Sequence, residues 1–134
     1  MNHAAPGGTS RQHLRGHVTE RAKAVFNGRI YIAEHAQRSD ASLTNRNLLE
    51  SPDAEVYTKP ELEIYANDVV CSHGATVGQL DADALFYLRS RGVPHAEARE
   101  LLVRGFLEES IPDAAGRKML GLQDHGLLTA EDAA

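Results

Sequence analysis

The sequence predicts a mainly β fold followed by C-terminal helices, and three observations carry that reading. Up to about residue 80, short runs of β-forming residues alternate with clusters of turn residues. Helical periodicity is absent from that stretch. Beyond it the signals change to helix caps and to apolar residues spaced three and four apart.

The β-forming runs are Val25-Phe26, Arg29 to Ile32, Glu55 to Thr58, Leu62 to Tyr65 and Val69 to Ser72. Asn27-Gly28, Ser39-Asp40, Asn45 to Asn47, Ser51-Pro52-Asp53, Lys59-Pro60 and Asn67-Asp68 predict turns between them. Strands this short with polar corners fit a stacked β-solenoid better than a sandwich, whose hairpins carry longer alternating runs. Residues 1–10, with Pro6-Gly7-Gly8, read as a turn-rich segment that enters a β core spanning 11–79.

The helical region spans 80–112. Asp81 is placed to cap a helix from Ala82 to Arg91, with Leu80 and Leu85 as a hydrophobic staple and Gly92 as the stop. Pro94 suits the first turn of a second helix, in which Ala98, Leu101, Leu102, Gly105 and Phe106 mark one packed face and leave Arg99 and Arg104 exposed. Pro112 ends it. Residues 113–134 are expected to form a frayed or mobile tail, because Gly116 and Gly121 weaken any third helix over 113–122. A solenoid leaves its apolar layer and backbone edges open unless each end is capped. The helices can cap one end and nothing caps the other. The chain therefore reads as a truncated piece of a longer protein, or as one whose open end pairs with another chain, a second copy included.

Composition narrows the function. The 134 residues carry 42% hydrophobic and 25% charged residues and a formal net charge of −5, with Lys and Arg interspersed among Asp and Glu. That pattern argues for an ordered core and against a phosphate-binding surface. No apolar run approaches the roughly 20 residues that span a bilayer, and the start lacks a signal-peptide pattern. One cysteine, Cys71, fits a reducing compartment, and the chain reads as cytoplasmic.

The densest chemical constellation is Val69 to Gly78. Side chains two apart share a face of a strand, so Cys71 and His73 present a thiol and an imidazole side by side. The bland reading makes Cys71 a small core residue and His73 a turn residue. His13 and His17 lack the carboxylate of a metalloprotease motif and read as solvated. His35, His95 and His125 have no local partner, and Asp81 and Asp83 suit a helix start. Phosphate-binding loops, nucleophile elbows and paired cysteines are missing. A β-helical carbohydrate-active enzyme would need aromatic platforms, whereas aromatics total 5% and Trp is absent. A Cys-His thiol enzyme would need proton transfer between groups whose Cα atoms stand about 7 Å apart along a strand.

The run Thr58 to Gly78, followed by Leu85 to Gly92, resembles the SufB/SufD family of iron–sulfur cluster assembly proteins, in the C-terminal region of its SufD branch. Thr44 to Leu49 and Val25 to Ile30 match in the same order, and the resemblance covers roughly residues 8 to 111. It implies a right-handed parallel β-helix, truncated here, followed by a small helical region. It also implies a scaffold rather than an enzyme, with SufB as partner through the β-helix and the SufC ATPase docked on the helices. His73 matches a histidine contributed near the SufB interface, which makes it a candidate metal donor, and Cys71 matches a neighbouring cysteine. An iron–sulfur cluster takes about four protein donors, mostly thiolates, so one cysteine implies a transient cluster shared with SufB.

Overall fold

The structure, a computed structural model, describes residues 1–111 of the chain. Six strands precede two helices: β1 (Asn2–His3), β2 (Thr9–Val18), β3 (Lys23–Ile32), β4 (Ser39–Leu49), β5 (Glu55–Ile64), β6 (Val69–Gln79), α1 (Ala82–Ser90) and α2 (His95–Glu108). The expectation of a mainly β fold with C-terminal helices is met. Odd-numbered strands form one sheet, in the order β1-β3-β5, and even-numbered strands a second, in the order β2-β4-β6. Every pairing is parallel, so the chain crosses from one sheet to the other at each corner.

Parallel pairing in register stacks each inward side chain on the corresponding one of the next strand. Along β4 the alternate residues Ser39, Ala41, Leu43, Asn45 and Asn47 are buried. Ser10 and Cys71 flank Ala41, and Gln12 and His73 flank Leu43. In the other sheet Ile30 pairs with Leu62 and Ile32 with Ile64. The core lies between the sheets and is built from Ile30, Ile32, Ala36, Ala41, Leu43 and Ala66, with Phe26, Leu62, Val69 and Cys71 packed against it. Each large aliphatic side chain so buried contributes about 1.5–3 kcal/mol.

The strands run longer than the sequence reading expected, and 9–18 and 39–49 are strands where none was expected. Asn27-Gly28, Asn45 to Asn47 and Lys59-Pro60 lie inside β3, β4 and β5. Tertiary contacts outweigh their turn preference. Asn47 Nδ2 donates to Asn45 Oδ1 at 2.6 Å, so the two buried amides satisfy part of each other's bonding capacity. Pro60 stands on a strand paired on one side only, the position where a missing N–H is tolerated. The opening ten residues also depart from the expected turn-rich segment. They contain β1 and the start of β2, tied together by His3 Nε2 and Ser10 Oγ at 2.8 Å.

Corner hydrogen bonds extend the register beyond the strands. Gly7 N–H donates to Gln37 O at 2.8 Å, Arg38 N–H to Asp68 O at 2.6 Å and Glu50 N–H to Val18 O at 2.9 Å. At the helical end Asp81 caps α1 as expected, accepting from the backbone N–H groups of Asp83 (2.9 Å) and Ala84 (3.2 Å). Gly92 follows with φ 91°, a conformation suited to glycine. In α2 only part of the expected face packs. Ala98 is fully buried and Leu102 and Phe106 are half-buried, but Leu101 is 42% exposed and Gly105 lies open. Arg99 and Arg104, expected in solvent, are both half-buried. The expected third helix over 113–122 and the tail over 113–134 lie outside the described residues.

Gly28 offers a test of this packing. A Cβ there would stand 2.7 Å from the Phe26 ring and 2.9 Å from Leu43 Cδ1. Gly28→Ala is therefore expected to destabilise the fold by about 1–3 kcal/mol through overpacking. A thermal or urea melt would show it, and an unchanged midpoint would contradict the close approach of the two sheets.

Candidate functional site

Strand β6 is one of the four edge strands among the described residues. It pairs with β4 along its whole length, and no described strand pairs with its other edge. Such a row of free N–H and C=O groups is a template for a further strand. Cys71 and His73 lie two apart on the inward face, stacked on Ala41 and Leu43. Leu43 beneath is 2% exposed, yet His73 itself is exposed, because the layer that would cover it is not supplied by the described residues. Val77, in the same row, is 45% exposed. Gly74 and Gly78 leave open space beside the strand.

The two predicted site residues are thus brought together on one face but differ in environment. Cys71 packs against the core, and burial pushes its thiol above its ordinary pKa, with the negative charge of Asp40 adding to the shift. That is the reverse of what activates a cysteine nucleophile. Among the described residues neither the Cys71 nor the His73 side chain has a hydrogen-bond partner, so the Cys-His thiol enzyme finds no support. No group of three or more His, Cys, Asp or Glu side chains comes together to hold a metal among the described residues.

The remaining histidines are partly as expected. His13 is exposed, and His35 bonds through Nε2 to Ala4 O at 2.8 Å. His17 is not solvated. Its Nε2 lies 2.6 Å from Glu50 Oε2, and Arg99 donates to Glu50 Oε1 at 2.6 Å. This cluster fastens α2 to the β2-β4-β6 sheet. Arg15 makes a second tie: it donates to Phe106 O at 2.7 Å, stacks over the Phe106 ring at 4.8 Å and pairs with Glu109. Sequence reasoning missed both ties, since their partners stand 33 to 94 positions apart and no local pattern connects them. No described helix is long and apolar enough to cross a membrane.

Comparison with known proteins addresses what such an edge belongs to. The family model described as the SufBD core domain of SUF system FeS cluster assembly matches residues 1–106. The chain belongs to the SufBD family. It is 51% identical over 100 residues to the iron–sulfur cluster assembly protein SufD of Escherichia coli, an alignment covering 75% of this chain and 24% of that protein. A SufBD family protein of Synechocystis is 48% identical over 109 residues, covering 81% of this chain and 24% of that protein. SufD of Bacillus subtilis is 38% identical over 92 residues, covering 69% and 21%. The chain therefore spans about a quarter of the length of the curated relatives it matches.

Two outcomes follow for this SufBD chain. At pH 8 Cys71 should react with iodoacetamide more slowly than a free thiol, because a raised pKa lowers the thiolate fraction; a faster reaction would contradict its burial. Glu50→Ala removes the shared partner of His17 and Arg99 and should loosen α2 by about 1–3 kcal/mol. Hydrogen exchange should then rise in α2 and not in β3, whereas equal rises in both would contradict a local tie.

Proposed function

We propose that this chain is the C-terminal part of a SufD-like scaffold subunit that takes part in iron–sulfur cluster assembly and is not itself an enzyme. In this reading the two parallel sheets are the last turns of a right-handed parallel β-helix running over 11–79, with the helical region of 80–112 following it. SufB pairs with the free edge of β6, and the SufC ATPase docks on α1 and α2, which leave Phe86 72%, Tyr87 57% and Leu101 42% exposed. In this reading the chain works in the cytoplasm, in keeping with a single cysteine that forms no disulfide.

One observation carries the proposal: β6, whose outer edge is unpaired among the described residues, is also the strand that holds Cys71 and His73 on its inward face. A strand added to β6 would cover that face and bring its own side chains beside theirs. The cluster is cargo here, held transiently and shared with SufB, because a cluster takes about four donors and this chain contributes two. An imidazole binds iron when it is neutral. His73, exposed, is the readier donor, and Cys71 must first lose its packing against the core.

The test uses the full-length protein co-expressed with SufB and SufC. His73→Ala removes the imidazole but leaves the β4–β6 backbone pairing intact, so the complex should form while its iron and sulfide content falls severalfold. Cys71→Ser should have the smaller effect. A His73→Ala complex that carries wild-type iron and sulfide would refute the role given to His73, and failure of the wild-type protein to associate with SufB or SufC would refute the scaffold reading.

A further inference from the structure

Strands β5 and β6, the last of each sheet in chain order, are each paired on one side only among the described residues and form the final layer there. The inward row of β6 is Val69, Cys71, His73, Ala75 and Val77; that of β5 is Val56, Thr58, Pro60, Leu62 and Ile64. The layer beneath shows how these rows face each other. A Cβ on Gly28 would lie 2.9 Å from Leu43 Cδ1, so those two positions oppose each other across the core. Gly28 pairs with Pro60, and Leu43 with His73. Pro60 is thereby set across from His73. The short corner from β4 to β5 places the beginning of β5 near the end of β6, which sets Thr58 across from Ala75.

Thr58 is the one residue in the inward row of β5 whose side chain can form a hydrogen bond. Its hydroxyl is sealed from solvent and has no partner among the described residues. An orphaned buried hydroxyl is destabilising compared with a valine of the same shape, and so calls for an explanation beyond packing. Across the core, one inward position along from the opposing Ala75, stands His73, whose exposed imidazole likewise has no hydrogen-bond partner among the described residues. Iron-binding histidines depend on such a contact, because a bond to one ring nitrogen fixes which nitrogen keeps the lone pair.

We propose that Thr58 is a positioning residue for His73: once a further chain covers β6 and the imidazole turns inward, Thr58 Oγ1 accepts a hydrogen bond from one ring nitrogen and leaves the other free to bind iron. This inference rests on the donor role given to His73 above.

The experiment compares Thr58→Val, Thr58→Ser and His73→Ala in the full-length protein complexed with SufB and SufC, by thermal melting and by iron and sulfide uptake at limiting iron. Thr58→Val should melt at or above the wild-type temperature and form the complex, yet require roughly tenfold more iron for half-loading, the scale of losing such a supporting contact. Thr58→Ser, which keeps the hydroxyl, should restore loading. If Thr58→Val loads like wild type while His73→Ala does not, the positioning role is overturned and the donor role stands. If His73→Ala itself loads like wild type, both fall. A Thr58→Val protein that loses melting temperature and loading together, unrescued by serine, would overturn the proposal by making the hydroxyl structural.

Discussion

In-register parallel pairing is the constraint on which the rest of this structure depends. Because β2, β4 and β6 run the same way, each inward side chain is stacked on the one before it, and the same holds for β1, β3 and β5. Each inward position must therefore fit its neighbours along the row and across the core. Gly16 shows the demand from along the row, since a Cβ there would lie 2.5 Å from Asn47 Oδ1. Leu43 is fitted from all sides: Gln12 and His73 flank it within the sheet, and Gly28 faces it. A one-residue slip would turn all of these outward together.

What the sequence disclosed and what it hid divide along the range of the interactions. Local chemistry was legible: Asp81 capping α1, Gly92 after it, and the β character of Arg29 to Ile32 and Val69 to Ser72. The fold class and the joint placement of Cys71 and His73 on one face of β6 could be read for the same reason. Misreadings arose where a distant partner overrules a local preference. Asn45 and Asn47 prefer turns in isolation, but here they are buried and bonded to each other. Leu101 shares a periodic face with Leu102, yet only the side of α2 that meets the sheet and α1 is covered. Thr58 has no local signal at all, because the burial of its hydroxyl without a partner arises only in the folded chain.

The helices are attached to this scaffold by different means. No residue of α1 is buried, and α2 buries only Ala98. Arg15 and Arg99 make up part of what apolar burial does not provide, with side chains 10% and 36% exposed. Arg15 is the stronger tie in kind, since it combines a carbonyl, a carboxylate and an aromatic ring, whereas ion pairs at the rim of solvent contribute little singly. The β core and the helical region thus differ in local stability, and the helices open first.

The unpaired edge of β6 makes the thermodynamics of this chain depend on its surroundings. Anything that pairs with that edge binds the folded form and not the unfolded one, and so raises apparent stability by mass action. A melting temperature measured on the chain alone is then a lower bound, and one that climbs with the concentration of whatever completes the sheet. The same edge, left empty, is a nucleus for aggregation, with Gly74 and Gly78 weakening its β preference as a partial safeguard. The stability that a melt reports is therefore set by the concentration of any strand able to pair with that edge as well as by the chain's own packing.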